Sequence, residues 1–323
     1  MTKSPLKKGY TTGVHASFAF KSAWSIFLAT QKKSISITNK MDNDDLDVTK
    51  GCEIVVTITQ NLDELELNPI EHKPYILGNL RVYAGVGVGV VTKDGLKPPK
   101  GYPAINPTPL SSIEAIVGNF DFEKIVYASI SVTNGEEIAK QTANSKVGVL
   151  GGISILGTTG WVKPISAEAY LDSIKTEIGF IKANGYAKVV FTLGSSSLAY
   201  AKRLYNKESI IEIGNFVYNS FDIADRLEIK EVVFVCGIGK AVKVAQGHKN
   251  THNRFGSIDF KELKETIKEE LKENIDIEST KTVKGIVSQL KDRDGFYNLI
   301  EQKAQRELKK WFKNIDIKVR IVR

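Results

Sequence analysis

Four short strings rich in glycine and hydroxyl residues carry the clearest chemical potential in this sequence. Residues 151–160 read GGISILGTTG, directly after an apolar run and ahead of a helical period. Glycines there admit positive φ and let backbone amides approach a ligand, while Ser154, Thr158 and Thr159 add hydroxyls. Similar turns recur at residues 194–197 (GSSS), at Gly214 with Asn215, and at residues 237–240 (GIGK), each after or near the end of an apolar run. Along one edge of a doubly wound sheet, where ligands bind at the carboxyl ends of strands, four such turns define a cleft.

Other chemistries fail on residue type or spacing. GIGK follows a β-branched run like a dinucleotide fingerprint, but Val242 stands at the third glycine position. No Lys followed by Ser or Thr closes a phosphate-binding P-loop. His248 and His252 are four apart but lack the adjacent glutamate of a zinc peptidase. No Gly-x-Ser-x-Gly elbow is present. Two cysteines, Cys52 and Cys236, cannot build a disulfide framework or a cysteine-rich metal site.

The elements that must position these turns follow from periodicity. Apolar residues from His15 to Thr30 recur at helical spacing, with Gly13 ahead as a breaker. Residues 52–59 and 81–92 read as β-branched strands, the second with Gly85, Gly87 and Gly89 predicting a bulge or close backbone approach. Residues 94–109 hold five of the chain's nine prolines and predict a stiff irregular loop. Residues 125–133 read as another strand, with a helix start at Asn134. Beyond it the pattern changes. Apolar runs at 147–150, 187–193 and 232–236 alternate with helical periods at 166–184, 196–205 and 215–227, the signature of parallel strands with crossover helices. A domain boundary near Asn144 is therefore expected, giving domains 1–144 and 145–323. Helical periods at 260–273 and 296–312 lead to a strictly alternating strand at 315–322. That strand can extend a sheet within one subunit or pair between subunits, which leaves a homo-oligomer open.

Composition bounds the function class. The 323 residues carry 45 Lys plus Arg against 37 Asp plus Glu, a net charge of +8, with 42% hydrophobic residues. The lysines are interspersed with acids and no nucleic-acid motif is present, so a nucleic-acid partner is not expected. No signal-peptide core or membrane-length apolar run occurs, which predicts a cytoplasmic protein without membrane attachment.

Seven strings, in order along nearly the whole chain, resemble the cobalt-precorrin-5B C1-methyltransferases of the anaerobic cobalamin pathway, the CbiD family. They are GYTTG (9–13), VTKDGL (91–96), PAINP (103–107), NGEEIAKQT (134–142), GVLGGISILGTTGWVKPIS (148–166), IGNFV (213–217) and GIGKAVKVAQG (237–247), followed by Thr251 and His252. The sequence departs from the family pattern at Val14, His15, Asp94, Leu110 and Asn253.

The resemblance implies methyl transfer from S-adenosylmethionine to carbon 1 of a corrinoid, with cobalt present only as part of the substrate. It implies an amino-terminal α+β domain of permuted ribosomal-S5-like type and a Rossmann-like α/β domain with a mostly parallel sheet. Expected cofactor-binding residues are Gly151, Gly152, Ser154, Gly157, Thr158, Thr159, Gly194, Ser195, Gly214, Asn215, Gly237, Gly239 and Lys240. The corrinoid carries many carboxylates, for which Lys93, Lys97, Lys163, Lys243 and the amide of Asn106 are the expected partners. Thr11, Thr12 and His252 are the catalytic candidates. The readings left beside this one are a nucleotide-dependent oxidoreductase and a non-catalytic corrinoid-binding protein.

Overall fold

The computed structural model describes residues 8–42, 47–118, 123–157, 160–162, 167–280 and 282–323. Two compact units divide the chain, Met1–Ala167 and Glu168–Arg323. The first contains β1 (Gly9–Tyr10), α1 (Thr12–Thr30), β2 (Ser34–Asn39), β3 (Glu53–Thr59), β4 (Tyr75–Leu77), β5 (Leu80–Ala84), β6 (Gly87–Val88) and β7 (Val90–Val91). It continues with α2 (Pro107–Val117), β8 (Val126–Val132), α3 (Gly135–Ala139), β9 (Val149–Leu150), β10 (Gly152–Ile153) and β11 (Trp161–Val162).

Helix α1 forms where the spacing predicts one, burying Ala16, Ala19, Phe20, Ala23, Trp24 and Phe27 along one stripe. The Thr11 hydroxyl caps its start by accepting from the Val14 amide, and Gln31 ends it in the left-handed conformation. The stripe packs on a five-stranded sheet of order β2-β3-β8-β5-β4, antiparallel except for the β5–β8 pair. Alternation supplies the sheet's inward face: Ile54, Val56 and Ile58 are buried, in register with Val132, Ile130 and Ala128. Burial of each large side chain contributes about 1.5–3 kcal/mol, which sets the register.

Glycine placement corrects several expectations. Gly13 lies inside the first turn of α1, where a Cβ would sit 2.5 Å from Pro109 Cγ and 2.7 Å from the Leu156 carbonyl oxygen. It permits close packing and breaks nothing. The strand expected over 81–92 is three strands, interrupted at Gly85 and Val86 and again at Gly89. The close approach expected there is present: a Cβ at Gly87 would lie 2.0 Å from the Val132 carbonyl oxygen. The proline loop is irregular only to Asn106, because Pro107 and Pro109 enter the first turn of α2, where a missing N–H costs nothing.

The largest correction concerns residues 147–162. The run at 147–150 is not the first strand of a parallel carboxy-terminal sheet, since β9 pairs antiparallel with β7. Next along the chain, β10 pairs parallel with β6 and β11 antiparallel with β1. Positive φ at Gly148, Gly151 and Gly152 lets the chain weave back among these partners. The division between units accordingly falls at Ala167 and Glu168 rather than near Asn144.

The second unit contains α4 (Ala167–Ala183), β12 (Val189–Leu193), α5 (Ser195–Leu204), β13 (Ile210–Glu212), α6 (Val217–Arg226), β14 (Glu231–Gly237) and α7 (Ile238–Ala245). It ends with α8 (Phe260–Glu270), α9 (Val283–Gln289), α10 (Arg293–Trp311) and β15 (Asp316–Val322). Its sheet has the order β13-β12-β14-β15, every pair parallel. All five residues of β12 are buried, as in a strand covered on both faces. β15 alternates instead, burying Ile317, Val319 and Ile321 at the sheet edge, and it extends the sheet within the chain.

Candidate functional site

In the amino-terminal unit the folded backbone brings three of the singled-out strings together. The Thr11 amide donates to the Gly160 carbonyl (3.1 Å) and the Gly13 amide to the Leu156 carbonyl (2.7 Å), joining GYTTG to the 151–160 segment. The Asn106 amide donates to the Ile155 carbonyl (3.0 Å), joining PAINP to the same segment. Beside these ties lies a groove of about 230 Å³ lined by Thr11, Val14, Phe18, Pro109, Gly157 and Gly160. Thr12 is buried, and its hydroxyl accepts from the Leu156 amide (2.8 Å). It holds the loop, whereas Thr11 faces the groove. Asn106 caps α2 by position without a side-chain cap bond, and it is half-buried. Lys93 packs its stem along Gly148 and Lys97 is exposed. Thr158, Thr159 and Lys163 lie outside the described residues.

Gly151 and Gly152 are not a ligand cradle. A Cβ at Gly151 would meet the Asn68 side-chain amide at 2.5 Å, and one at Gly152 would meet the Gly87 carbonyl oxygen at 2.2 Å. What approaches their backbone is the protein itself. The Ser154 hydroxyl reaches Asn144 Oδ1 at 3.4 Å, also within the unit.

The departures at positions 14 and 15 separate in space. Val14 lines the groove, but His15 is buried and turned away, its Nε2 accepting from the Met41 amide (3.2 Å). Leu110 packs half-buried against the core. Burial, then the charge of Lys40, holds the His15 ring below the ordinary 6.5. Lys40 is itself buried and ion-paired with Asp47. Burial alone would raise the Asp47 carboxyl, but the Lys40 ammonium and the Thr49 donors hold it below its ordinary range.

Because His15 titrates below 6.5 when folded, the unfolded chain binds more protons across that interval. Its stabilising contribution is therefore complete above about pH 6.5 and is lost as the pH falls toward the folded value. Unfolding midpoints of the wild type are expected to drop below about pH 6.5 with a slope that His15→Gln reduces. Identical slopes for the two proteins would refute this assignment.

In the carboxy-terminal unit the remaining turns do share one edge. Gly194 follows β12, Gly214 and Asn215 follow β13, and Gly237 ends β14, all at the carboxyl ends of parallel strands. Numbered in chain order, the sheet runs second-first-third-fourth, so its topological switch point lies between β12 and β14. Helices α5 and α7 begin there, after Gly194 and Gly237. A Cβ at Gly194, Gly237 or Gly239 would meet nothing within 4 Å, the opposite of the packed glycines in the first unit. Ser195 is the first residue of α5.

Two lysines brace this edge. Lys240 Nζ donates to Asn215 Oδ1 (3.0 Å) and to the Thr251 carbonyl (2.9 Å). Lys243 is buried and donates to the Thr251 carbonyl (3.2 Å), Asn253 Oδ1 (2.8 Å) and the Gly256 carbonyl (2.8 Å). Its three donors are spent on the protein, which overturns its expected role as a substrate-binding lysine. Burial lowers the pKa of both, and at Lys240 the charge of Lys243 adds to it. The Thr251 hydroxyl donates to Asn215 Oδ1 (2.9 Å), closing a network that periodicity could not reveal because its members come from three segments.

His252 is exposed, and its Nδ1 accepts from the Arg254 amide (3.2 Å), which leaves the proton of the neutral ring on Nε2. Among the described residues, no three His, Cys, Asp or Glu side chains are grouped to hold a metal ion. Both cysteines are buried, and burial pushes the Cys52 thiol up to about 11 and raises that of Cys236. Neither is an activated nucleophile.

These features define an α/β protein whose parallel sheet presents an open, glycine-lined carboxyl edge, joined in one chain to an α+β unit with a groove of its own. A family model described as CbiD matches residues 27–164. The cobalt-precorrin-5B C(1)-methyltransferase of Geobacillus sp. (strain WCH70) is 37% identical over 292 residues, 80% of this chain and 76% of that protein. The protein of the same name from Geotalea daltonii is 33% identical over 300 residues, 81% of this chain and 80% of that one. The one from Methanococcus maripaludis (strain C5) is 38% identical over 224 residues, 68% of this chain and 60% of that protein. A 1.9 Å crystal structure of cobalamin biosynthesis protein (cbiD) from Archaeoglobus fulgidus aligns with 23% identity and a TM-score of 0.34, covering 76% of this chain and 81% of that one. The chain belongs to the CbiD family of cobalt-precorrin-5B C(1)-methyltransferases. It spans about 60% of the length of the methanogen relatives it matches. No described helix is long and apolar enough to cross a membrane.

Proposed function

We propose that the protein is a cytoplasmic S-adenosylmethionine-dependent methyltransferase that converts cobalt-precorrin-5B to cobalt-precorrin-6A by methylating carbon 1. The observation that carries this reading is 37% identity to a relative of that name over 80% of the chain. Cobalt enters only with the substrate. The first unit is read as a permuted ribosomal-S5-like fold and the second as a Rossmann-like fold.

The open glycines fit an adenosyl ligand, because Gly194, Gly237 and Gly239 leave backbone bare where a Cβ would otherwise project. Ser195, Asn215 and Lys240 would hold its polar groups at the ends of the strands. When bound, S-adenosylmethionine supplies an electrophilic methyl group on a sulfonium. Alignment of the reacting atoms can supply much of the acceleration in such a displacement, so no strong acid–base dyad is required. On the corrinoid, Thr11, Asn106, Lys93 and Lys97 are assigned to peripheral carboxylates and amides, and Val14, Phe18 and Pro109 to the apolar face.

The test is transfer of label from methyl-labelled S-adenosylmethionine to anaerobically prepared cobalt-precorrin-5B, with the product carbon located by NMR. Label at carbon 1 is expected. Gly237→Val keeps an allowed backbone (φ −76°) and places its side chain in open space, so it should fold while weakening S-adenosylmethionine binding at least 10-fold. Absence of transfer despite binding of both ligands would overturn the activity, and unchanged affinity in Gly237→Val would overturn the placement.

A further inference from the structure

The carboxy-terminal sheet places an uncommitted carboxylate where an adenosine ligand needs one. β12 leads through the Gly194 turn and α5 into β13, which lies parallel beside it and ends at Glu212. Thr192 of β12 is the register partner of Glu212, two residues before Gly194. Glu212 therefore stands next to the open glycine turn, at the carboxyl edge of the sheet. Its neighbours Ile211 and Ile213 are buried, but Glu212 is exposed, and among the described residues no cation or hydrogen-bond donor engages its carboxylate.

An aromatic wall adjoins it. The Tyr170 hydroxyl donates to the Glu212 carbonyl (2.8 Å), and its ring lies 3.3 Å from where a Cβ of Gly214 would be. Tyr170 is 38% exposed and meets Phe216 at 5.5 Å between ring centroids. Burial, then the charges of Glu212 and Glu177, raises the Tyr170 hydroxyl above its ordinary value, in keeping with a carboxylate close to this ring.

In doubly wound sheets, an acid at the end of the second strand, about 20 residues after the glycine turn, accepts hydrogen bonds from the ribose hydroxyls of a bound nucleotide. We infer that Glu212 binds the ribose hydroxyls of an adenosine moiety at this edge, with the Tyr170–Phe216 pair forming the wall beside the base. The assignment rests on the reading of the edge as the methyl donor's site and adds the residue that recognises the sugar. The shared chemistry is a ribose diol, which S-adenosylmethionine and NADH both offer. A 2′-phosphate would be repelled by the carboxylate.

Isothermal titration of the full chain with S-adenosylhomocysteine, its 2′,3′-dideoxy analogue and NADH decides the matter. In Glu212→Gln, affinity for S-adenosylhomocysteine is expected to fall about 10- to 100-fold, the worth of a charge-assisted hydrogen bond, with an unchanged melting temperature. The dideoxy analogue should bind the wild type and Glu212→Gln equally weakly. Glu212→Asp, which keeps the charge on a shorter arm, should fall between. Equal affinity of wild type and Glu212→Gln for S-adenosylhomocysteine overturns the ribose assignment and leaves the methyl-donor reading intact. Binding of NADH but not S-adenosylhomocysteine, weakened by Glu212→Gln, supports the ribose assignment and overturns the methyl-donor reading. Failure of the wild type to bind either ligand overturns both.

Discussion

Gly87→Ala is expected to destabilise the amino-terminal unit by about 4 kcal/mol, enough to deplete folded protein in the cell. Two costs combine. Gly87 has φ +80°, a conformation that costs an L-residue about 1–2 kcal/mol, and its Cβ would lie 2.0 Å from the Val132 carbonyl oxygen. Backbone cannot yield as a side chain does, because Val132 ends the central strand β8 and Gly135 packs its own Cα side against the Gly87 carbonyl. Gly51→Ala is the control, with φ +69° and nothing within 4 Å of a Cβ. It should cost only about 1 kcal/mol. Hydrogen exchange of the β3 and β8 amides measures both, and equal losses would show that conformational strain alone, without the close approach, explains Gly87.

The second large effect is expected at Lys243. Lys243→Met keeps the apolar stem and removes the ammonium, leaving the Gly256 carbonyl and the amide oxygen of Asn253 without their donor and the Thr251 carbonyl with Lys240 alone. A loss of about 3 kcal/mol is expected in the carboxy-terminal unit, with faster exchange of the Thr251 amide that bonds the Asn215 carbonyl. Affinity for S-adenosylmethionine should fall as well, since Asn215 and Lys240 are held through the same Thr251. Lys240→Met, which removes two hydrogen bonds from a half-buried position, should cost about 1 kcal/mol of stability. Equal stability of Lys243→Met and wild type would mean that the segment around Thr251 is held by other contacts.

Much of this molecule is legible in one dimension. Helix α1, strands β3, β8, β12, β14 and β15 and the crossover helices follow from apolar period, because each element buries one face or both and its own spacing records which. The ordered strings from GYTTG to GIGKAVKVAQG carry the family resemblance on identity alone. Strand β13 leaves no such record, since three residues are too few for a period, and Glu212 at its end stayed unread with it.

Partnership was decided only in three dimensions. The same glycine-rich composition yields a packed weld at Gly87, Gly135 and Gly152 and an open edge at Gly194, Gly237 and Gly239. A glycine permits close approach but does not specify whether backbone or ligand approaches, which depends on what the chain brings opposite. In the same way, the run at 147–150 reads as a strand from its residues, yet its pairing with β7 places it in the first unit. Lys243 reads as a substrate-binding lysine until Thr251, Asn253 and Gly256 converge on its ammonium. Sequence fixes what a residue can bond with, through its donors, charge and volume. Tertiary structure decides whether the protein has already used those bonds, and only the groups it leaves unused can serve a ligand.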